Sequence, residues 1–249
     1  MNRTLVAATL SLAALAAPAG AFDLTQMTEE ERTAFRAEIR DYLLENPQVI
    51  MEAVAVLEQQ QTDQQAQADV DLVRANADGL FNSADDWVGG NPDGDVTIVE
   101  FMDYRCGYCR QAFADVEQLL EFDDNIRFVL KEFPILGEQS VMASRFALAT
   151  KAVAGDDAYK QMHDALMTYT GDIGQGSLTR LAEGLGLDAE AILAGMDAPE
   201  IDRIISENRA LAGRMQIQGT PSFVFDEQLV RGYVPIDGMQ QIVEQIRAD

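Results

Sequence analysis

The 249-residue chain holds one histidine and two cysteines, and its 18 lysines and arginines stand against 42 acids. Each shortage closes off some chemistry. With His163 alone, a metal site of the HExxH kind cannot be assembled, and any Ser-His-Asp arrangement has a single candidate base. A formal charge of −24 repels phosphate backbones and anionic lipid, where binding depends on lysine and arginine neutralising negative charge, and this argues against a nucleic-acid partner. No apolar run reaches the ~20 residues that a transmembrane helix requires. Apolar residues as a class are not scarce: they make up 47% of the chain, enough for a sizeable core without disulfide or metal staples.

The start of the chain reads as a processing signal. Met1-Asn2-Arg3 is positive, Leu5 to Ala17 is apolar, and Ala19-Gly20-Ala21 is a small-x-small cleavage site, so residues 1–21 are expected to be a secretory signal peptide cut near Ala21. Export implies an oxidising compartment, where thiol pairs carry redox function, and leaves no membrane insertion after processing.

Residues 22–80 read as an all-helical segment and linker. Thr28 followed by Glu31 is a capping box, with Glu29 and Glu30 favouring the positive end of the helix dipole, which predicts a helix from Glu29 to about Glu45. Asn46-Pro47 supplies a cap and a proline for a second helix. Phe35, Ile39, Tyr42 and Leu43, then Ile50, Val54 and Leu57, form apolar faces that need a partner; self-association is the preferred reading over docking on the chain's own main domain. The glutamine-rich stretch Glu58–Asp69 cannot bury a core and is expected to be an exposed helix or a pliable linker.

Residues 81–249 read as α/β. Val96–Met102 is a β-rich apolar run, Ile126–Leu130 is a second, and the sixteen or so residues between them are helical in pattern, which predicts a β-α-β unit with parallel pairing and a right-handed crossover. Residues 139–215 switch to helical spacing, with starts at Ser177 and Asp188. A hairpin over Ser222–Phe225 and Gln228–Arg231 and a helix over Pro235–Arg247 close the chain. Strands on both sides of a helical block predict one sheet with an inserted helical subdomain.

The chemistry concentrates at Cys106-Gly107-Tyr108-Cys109, just after the first long strand. Cysteines at i and i+3 on a helix are neighbours and can form a disulfide with little backbone movement. A sulfur at a helix N-terminus faces unsatisfied N–H groups, which favour the thiolate, the reactive species. Cys106 is therefore the expected nucleophile and Cys109 the resolving thiol. Three other readings compete. A structural disulfide over so short a loop constrains the unfolded chain little. A zinc site lacks ligands beyond two thiols and a distant His163. Cu(I) held by a soft dithiolate remains chemically plausible.

The run from Val96 to Cys109, with Gly219-Thr220-Pro221-Ser222-Phe223 far downstream, resembles the DsbA-like family of thioredoxin-fold periplasmic oxidoreductases, and within it the ScsC-type branch that carries an N-terminal oligomerisation segment. The resemblance implies a thioredoxin fold with an inserted helical subdomain behind an all-helical N-terminal segment, a periplasmic location, and no cofactor or metal. It implies that Pro221 is a cis-proline beside the dithiol and that Thr220, Tyr108 and Gly107 meet substrate. It further implies that Glu100 is the acidic residue beneath the dithiol, relaying a proton or destabilising the disulfide. Lys131 is either a charge partner for Glu100 or a solvated strand-end lysine. Implied partners are exported proteins with cysteines, a membrane redox partner that resets the dithiol, and further copies of the chain, a trimer being favoured. Gly107-Tyr108 with Thr220 before the proline is similar to DsbC-type isomerases, so disulfide isomerase or reductase activity is preferred; the alternatives are a DsbA-type dithiol oxidase and a periplasmic Cu(I)-binding copper-tolerance protein.

The rest carries no assigned chemistry. His163 reads as packed or exposed on an insertion helix, and Met102 and Met142 read as core. Trp87 and the acidic pairs Asp85-Asp86, Asp123-Asp124 and Asp156-Asp157 read as surface and turn features.

Overall fold

The structure, a computed structural model, describes residues 26–248. The expected leader at residues 1–21 lies outside the described residues. The chain divides into two compact units between Gln59 and Gln60.

In the first unit, helix α1 (Glu29–Glu45) starts at the capping box. The Glu31 N–H donates to Thr28 Oγ1 at 3.3 Å and the Thr28 N–H to Glu31 Oε2 at 2.8 Å, so two of the helix's orphan donors are satisfied. Asn46 closes it, its N–H reaching the Tyr42 carbonyl at 2.8 Å, and α2 (Gln48–Ala75) begins after Pro47. No residue of α1 is buried. Phe35, Ile39 and Tyr42 are 41, 43 and 55% exposed, and Ile50, Val54 and Leu57 of α2 are 51, 40 and 57% exposed, so neither helix shields the other's apolar face. The glutamine-rich stretch is helical throughout. Past Gln59, in the second unit, α2 buries Asp69 and Val73.

The second unit continues with α3 (Ala77–Phe81), β1 (Trp87–Gly90), β2 (Val96–Met102), α4 (Gly107–Phe122) and β3 (Ile126–Glu132). Five helices follow: α5 (Glu138–Ala154), α6 (Asp156–Thr168), α7 (Gln175–Gly184), α8 (Ala189–Gly195) and α9 (Pro199–Arg214). The hairpin β4 (Ser222–Phe225) and β5 (Gln228–Arg231) and the last helix α10 (Ile236–Ala248) complete the chain. The sheet order is β1-β3-β2-β4-β5, with β2 and β3 parallel and the other pairs antiparallel. The expected β-α-β unit, insertion and hairpin are all present.

The sheet separates two cores by the period-two alternation of strand side chains. Ile98, Met102, Phe128 and Leu130 face Ala112, Val116 and Leu119 of α4, Met239 and Val243 of α10, and the insertion helices α5 to α8. Val99, Phe101 and Val129 face Val73 of α2, Leu80 of α3, Leu211 of α9 and Met215 just past the end of α9. Emptying a fully buried position such as Phe101 costs ~3–5 kcal/mol, so the central strands anchor whatever hangs on their ends. Gly94 shows how closely the chain turns into β2: a Cβ there would sit 2.6 Å from the Arg127 nitrogen and the Asn125 oxygen, a contact no side chain tolerates.

Two expectations are corrected on the sheet. Trp87 is not a surface feature: it lies in edge strand β1, 9% exposed, with its ring 6.0 Å from that of Tyr159. Nor is Asp86, whose side chain is 3% exposed and ion-paired with Lys131, itself 1% exposed. Lys131 also donates to the Gly79 carbonyl at 2.6 Å, so it ties the α3 segment to the middle of the sheet.

Candidate active site

Strand β2 delivers the chain to α4 through Asp103-Tyr104-Arg105, and that turn is pinned on three sides. Asp103 Oδ1 accepts the Arg105 N–H at 2.7 Å, and Oδ2 accepts the Ile135 and Leu136 N–H groups at 2.8 and 3.0 Å. The Arg110 guanidinium donates twice to the Tyr104 carbonyl, at 3.0 and 2.9 Å. Cys106 is thereby fixed as the N-cap of α4, with Cys109 one turn in.

The two sulfurs are in opposite states. Cys106 is 7% exposed and Cys109 fully buried. Hydrogen bonding from Cys109 is the main cause that lowers the Cys106 thiol to about 5; the Thr220 side chain and the backbone N–H groups of Cys109 and Tyr108 add to it, against the effect of burial. Burial pushes the Cys109 thiol strongly up, reinforced by its bond to Cys106 and by the negative charge of Glu100. At neutral pH the pair is one thiolate and one thiol sharing a proton between them. Both are free cysteines.

Thr220-Pro221 is a cis peptide bond, and the Thr220 carbonyl lies 3.1 Å from Cys106 Sγ, so the structure brings Thr220 and Pro221 beside the dithiol. Gly107 is open, a Cβ there meeting nothing within 4 Å. Tyr108 is 64% exposed and stacks on Tyr233 with centroids 6.3 Å apart; the Tyr233 hydroxyl donates to Asp115 Oδ2 at 2.5 Å.

Glu100 lies on β2 beneath the pair, 3% exposed. Burial and then the neighbouring Cys106 raise its carboxyl to about 8, and among the described residues nothing hydrogen-bonds its Oε1. Lys131 is not its partner. In the parallel register Glu100 is level with Leu130 and Phe101 with Lys131, and residues level with each other share a face, so Lys131 points to the opposite side of the sheet from Glu100. Nor is Lys131 solvated, as its pairing with Asp86 shows.

A second buried polar cluster sits behind the turn and was not anticipated from the sequence. Glu132 ends β3 and accepts hydrogen bonds from the hydroxyls of Tyr104 at 2.8 Å, Tyr159 at 2.7 Å and Ser144 at 2.6 Å. Burial holds its carboxyl up at about 7 against the lowering effect of those bonds. His163 Nδ1 is 3.2 Å from the Tyr104 hydroxyl, and burial, with a smaller contribution from Lys160, depresses it to about 3, so it is a neutral packed residue. The available signals were an acid ending an apolar strand run and a tyrosine two residues before the first cysteine. Among the described residues no group of three or more His, Cys, Asp or Glu is arranged to hold a metal ion, and no helix is long and apolar enough to cross a membrane.

Residues 97–244 match the model of the DSBA-like thioredoxin domain, and residues 31–64 match that of the copper resistance protein ScsC N-terminal domain. A thioredoxin-like oxidoreductase from Silicibacter pomeroyi DSS-3 is 43% identical, with a TM-score of 0.65 over 69% of this chain and 98% of that one. BcfH of Salmonella enterica Typhimurium is 26% identical, with a TM-score of 0.70 over 87% of this chain and 96% of that one. A curated relative, the Na(+)/H(+) antiporter NhaA 3 of Salinispora tropica, is 29% identical over 158 residues, which are 64% of this chain and 24% of the antiporter. The chain thus spans about a quarter of the length of that relative. An anionic N-cap sulfur, its buried twin and a cis-proline on a five-stranded mixed sheet accord with these matches: the chain belongs to the DsbA-like thioredoxin-domain family, a thiol-disulfide oxidoreductase fold close to ScsC.

Proposed function

We propose that the protein is an exported thiol:disulfide interchange enzyme of the periplasm, acting on cysteine-containing exported proteins, with isomerisation and reduction preferred to dithiol oxidation. The reading is carried by the Cys106 sulfur at the start of α4, its thiol lowered to about 5 by hydrogen bonding from Cys109, from the Thr220 side chain and from the first-turn N–H groups. The Cys106 thiolate attacks one sulfur of a substrate disulfide. The substrate S–S bond breaks, and its other sulfur leaves as a thiolate that takes a proton from solvent. Once Cys106 is in the mixed disulfide its charge is gone, which removes one of the two influences that hold Glu100 neutral. Glu100 then gives its own proton to solvent more readily, and the carboxylate so formed takes up the Cys109 proton. The Cys109 sulfur attacks Cys106 Sγ and expels the second substrate sulfur. Two electrons pass to the substrate, and the protein is left with a Cys106–Cys109 disulfide. In isomerisation another substrate thiolate resolves the adduct first, and Cys106 leaves unchanged.

In this scheme Pro221 and Thr220 align an extended substrate beside the sulfur, while open Gly107 and exposed Tyr108 form its floor. The unshielded apolar faces of α1 and α2 supply self-association, with a trimer favoured, which sets several dithiols around one client and raises their effective concentration. A membrane redox partner resets the dithiol. Reduced protein should reactivate scrambled ribonuclease faster than oxidised protein reactivates reduced ribonuclease; the reverse order would overturn the isomerase assignment. The second reading, a dithiol oxidase, draws on the depressed Cys106 thiol, because stabilising the thiolate stabilises the reduced form and makes the disulfide the stronger oxidant. Trapping the thiols inside cells separates the two, since an isomerase rests reduced and an oxidase rests oxidised.

A further inference from the structure

A cavity of about 500 Å³ lies against Thr220 and Pro221, within the ~300–1,000 Å³ typical of ligand sites. Three glutamines line it, Gln65, Gln216 and Gln218, together with Arg231. Its wall holds no aromatic or branched aliphatic side chain, and the groups that can pair with a ligand are amides, one guanidinium and backbone. Gln65 comes from α2, and both it and Asp69 fall outside the segments matched by either family model, which end at residue 64 and resume at 97.

Gln65 is held in place. Its Nε2 donates to Asp69 Oδ1 at 2.9 Å, and the Arg231 guanidinium grips both oxygens of Asp69, at 2.7 and 2.8 Å. This two-pronged pair is a stiff mount, and Arg231, by holding Asp69, fixes the glutamine one helical turn away. Gln216 is held at a cost. It follows Met215, the C-cap of α9, at φ +55°, the left-handed position that ends many helices and that glycine normally fills because a side chain is strained there. The helix end is otherwise ordinary, with the Ile217 N–H returning to the Ala212 carbonyl at 2.8 Å. A strained non-glycine residue that lines a cavity reaching Thr220 and Pro221 points to use of that residue.

We infer that Gln65, Gln216 and Gln218 form a subsite for the extended backbone of a cysteine-containing polypeptide, so that the helix appended to the thioredoxin domain supplies one wall of the substrate groove. A primary amide carries both a donor and an acceptor and so pairs with peptide N–H and C=O groups alike, whatever the side chains. Neutral amides also add no charge selection to a strongly acidic protein. Thr220 borders the cavity and its carbonyl lies 3.1 Å from Cys106 Sγ, so a chain whose cysteine is bonded to Cys106 has the cavity within reach. The inference rests on the thiol:disulfide interchange reading.

The test uses the full chain, glutathione as the reductant that returns the dithiol after each cycle (the rate without protein being subtracted), and two disulfides: a pair of unstructured decapeptides joined through one cysteine each and carrying a fluorophore and quencher, and 2-hydroxyethyl disulfide, which has no peptide backbone. The quantity read is the ratio of kcat/KM for the peptide to that for the small disulfide. Loss of one net hydrogen bond corresponds to a fall in that ratio of about fivefold. Gln65→Ala and Gln216→Gly should each produce such a fall, acting mainly through the peptide KM. Gln216→Gly should also raise Tm, because it relieves the left-handed strain, so its lost peptide preference cannot be blamed on misfolding. A ratio that stays within about twofold of wild type in both variants overturns the subsite. So does a Gln216→Gly protein that gains stability and keeps its peptide preference. Wild-type protein that turns over neither disulfide removes the interchange reading itself, and the subsite with it.

Discussion

Replacing Thr220 by valine deletes a hydroxyl and keeps the shape of the side chain beside Cys106. The Thr220 side chain is one of the groups that lower the Cys106 thiol to about 5. A hydrogen bond to a charged group is worth ~1.5–3 kcal/mol and one pKa unit ~1.4 kcal/mol, so the midpoint should rise by ~1–2 units. Taking a rise of ~1.5 units, the thiolate fraction at pH 5 falls from about one half to ~3%, whereas at pH 7 it falls only from ~99% to ~75%. The remaining thiolate is more basic and hence intrinsically more nucleophilic, by about fivefold for a Brønsted slope of ~0.45. Combining the two, Thr220→Val should react with 4,4′-dithiodipyridine ~3-fold more slowly than wild type at pH 5 and ~3-fold faster at pH 7. The crossover makes the test demanding, because general damage to the site slows the reaction at every pH. Stopped-flow rates from pH 4 to 8 give both midpoints. Rates displaced in the same direction at pH 5 and pH 7, or midpoints that coincide, would refute the account of how Cys106 is ionised.

Lys131→Met leaves the buried Asp86 carboxyl without its cation, which costs ~3–5 kcal/mol and is read as a lower urea midpoint. Burial holds Asp86 at about 6, so at pH 5 the orphan is protonated and part of the loss should return; an equal loss at pH 5 and pH 8 contradicts this. Glu132 is raised from its ordinary 4.5 to about 7 by burial, so the folded state binds that proton more readily than the unfolded chain does. Its ionisation therefore costs stability as pH rises from about 4.5 to 7, and the stability of wild type over Glu132→Gln should grow as pH falls from 7 to 5. A gap independent of pH argues against a buried titrating carboxyl. Deleting residues 22–59 should convert the assembly to monomers by light scattering while the far-UV spectrum of the remaining fold persists; an unchanged particle mass would remove α1 and the start of α2 as the association surface.

The parts of this fold that could be read in advance are those whose signal is local. Thr28 with Glu31 and the apolar runs at Val96 and Ile126 each state their structure within a few residues, and all three hold in the fold. Asn46-Pro47 marks the break between two helices, but Asn46 closes α1, its side chain turned back to the Tyr42 carbonyl, instead of capping α2, which begins at Gln48. Strand β1 was missed because Trp87-Val88-Gly89-Gly90 is short and half glycine, and it becomes a strand only by pairing antiparallel with β3 across forty residues of chain. Neither reading of Lys131, partner of Glu100 or solvated strand-end lysine, holds, and the reason is geometric. Nearness in sequence to a strand's end does not say which face a side chain takes; that follows from the register with β2, a long-range property. The dithiol was legible because its two members are three residues apart. The Glu132 cluster was not, because Tyr104, Ser144 and Tyr159 reach it from three separate elements. The position of Pro221 next to Cys106 came through resemblance, and the glutamine wall of the cavity from neither source.

Cys106 occupies the position at which a serine or aspartate would ordinarily close the first turn of a helix. The nucleophile is therefore also the stopper of α4, and it does this chiefly with charge, the Tyr108 and Cys109 N–H groups turning toward the sulfur without the close side-chain cap bond that a serine or aspartate makes. Whenever the sulfur becomes covalently occupied, by a client or by Cys109, that negative charge vanishes and the helix end loses its counterion. Amide-proton exchange at Tyr108 and Cys109 should then act as a gauge of redox state, slow while the sulfur is anionic and faster once it is bonded, with the far end of the same helix at Phe122 as an internal reference.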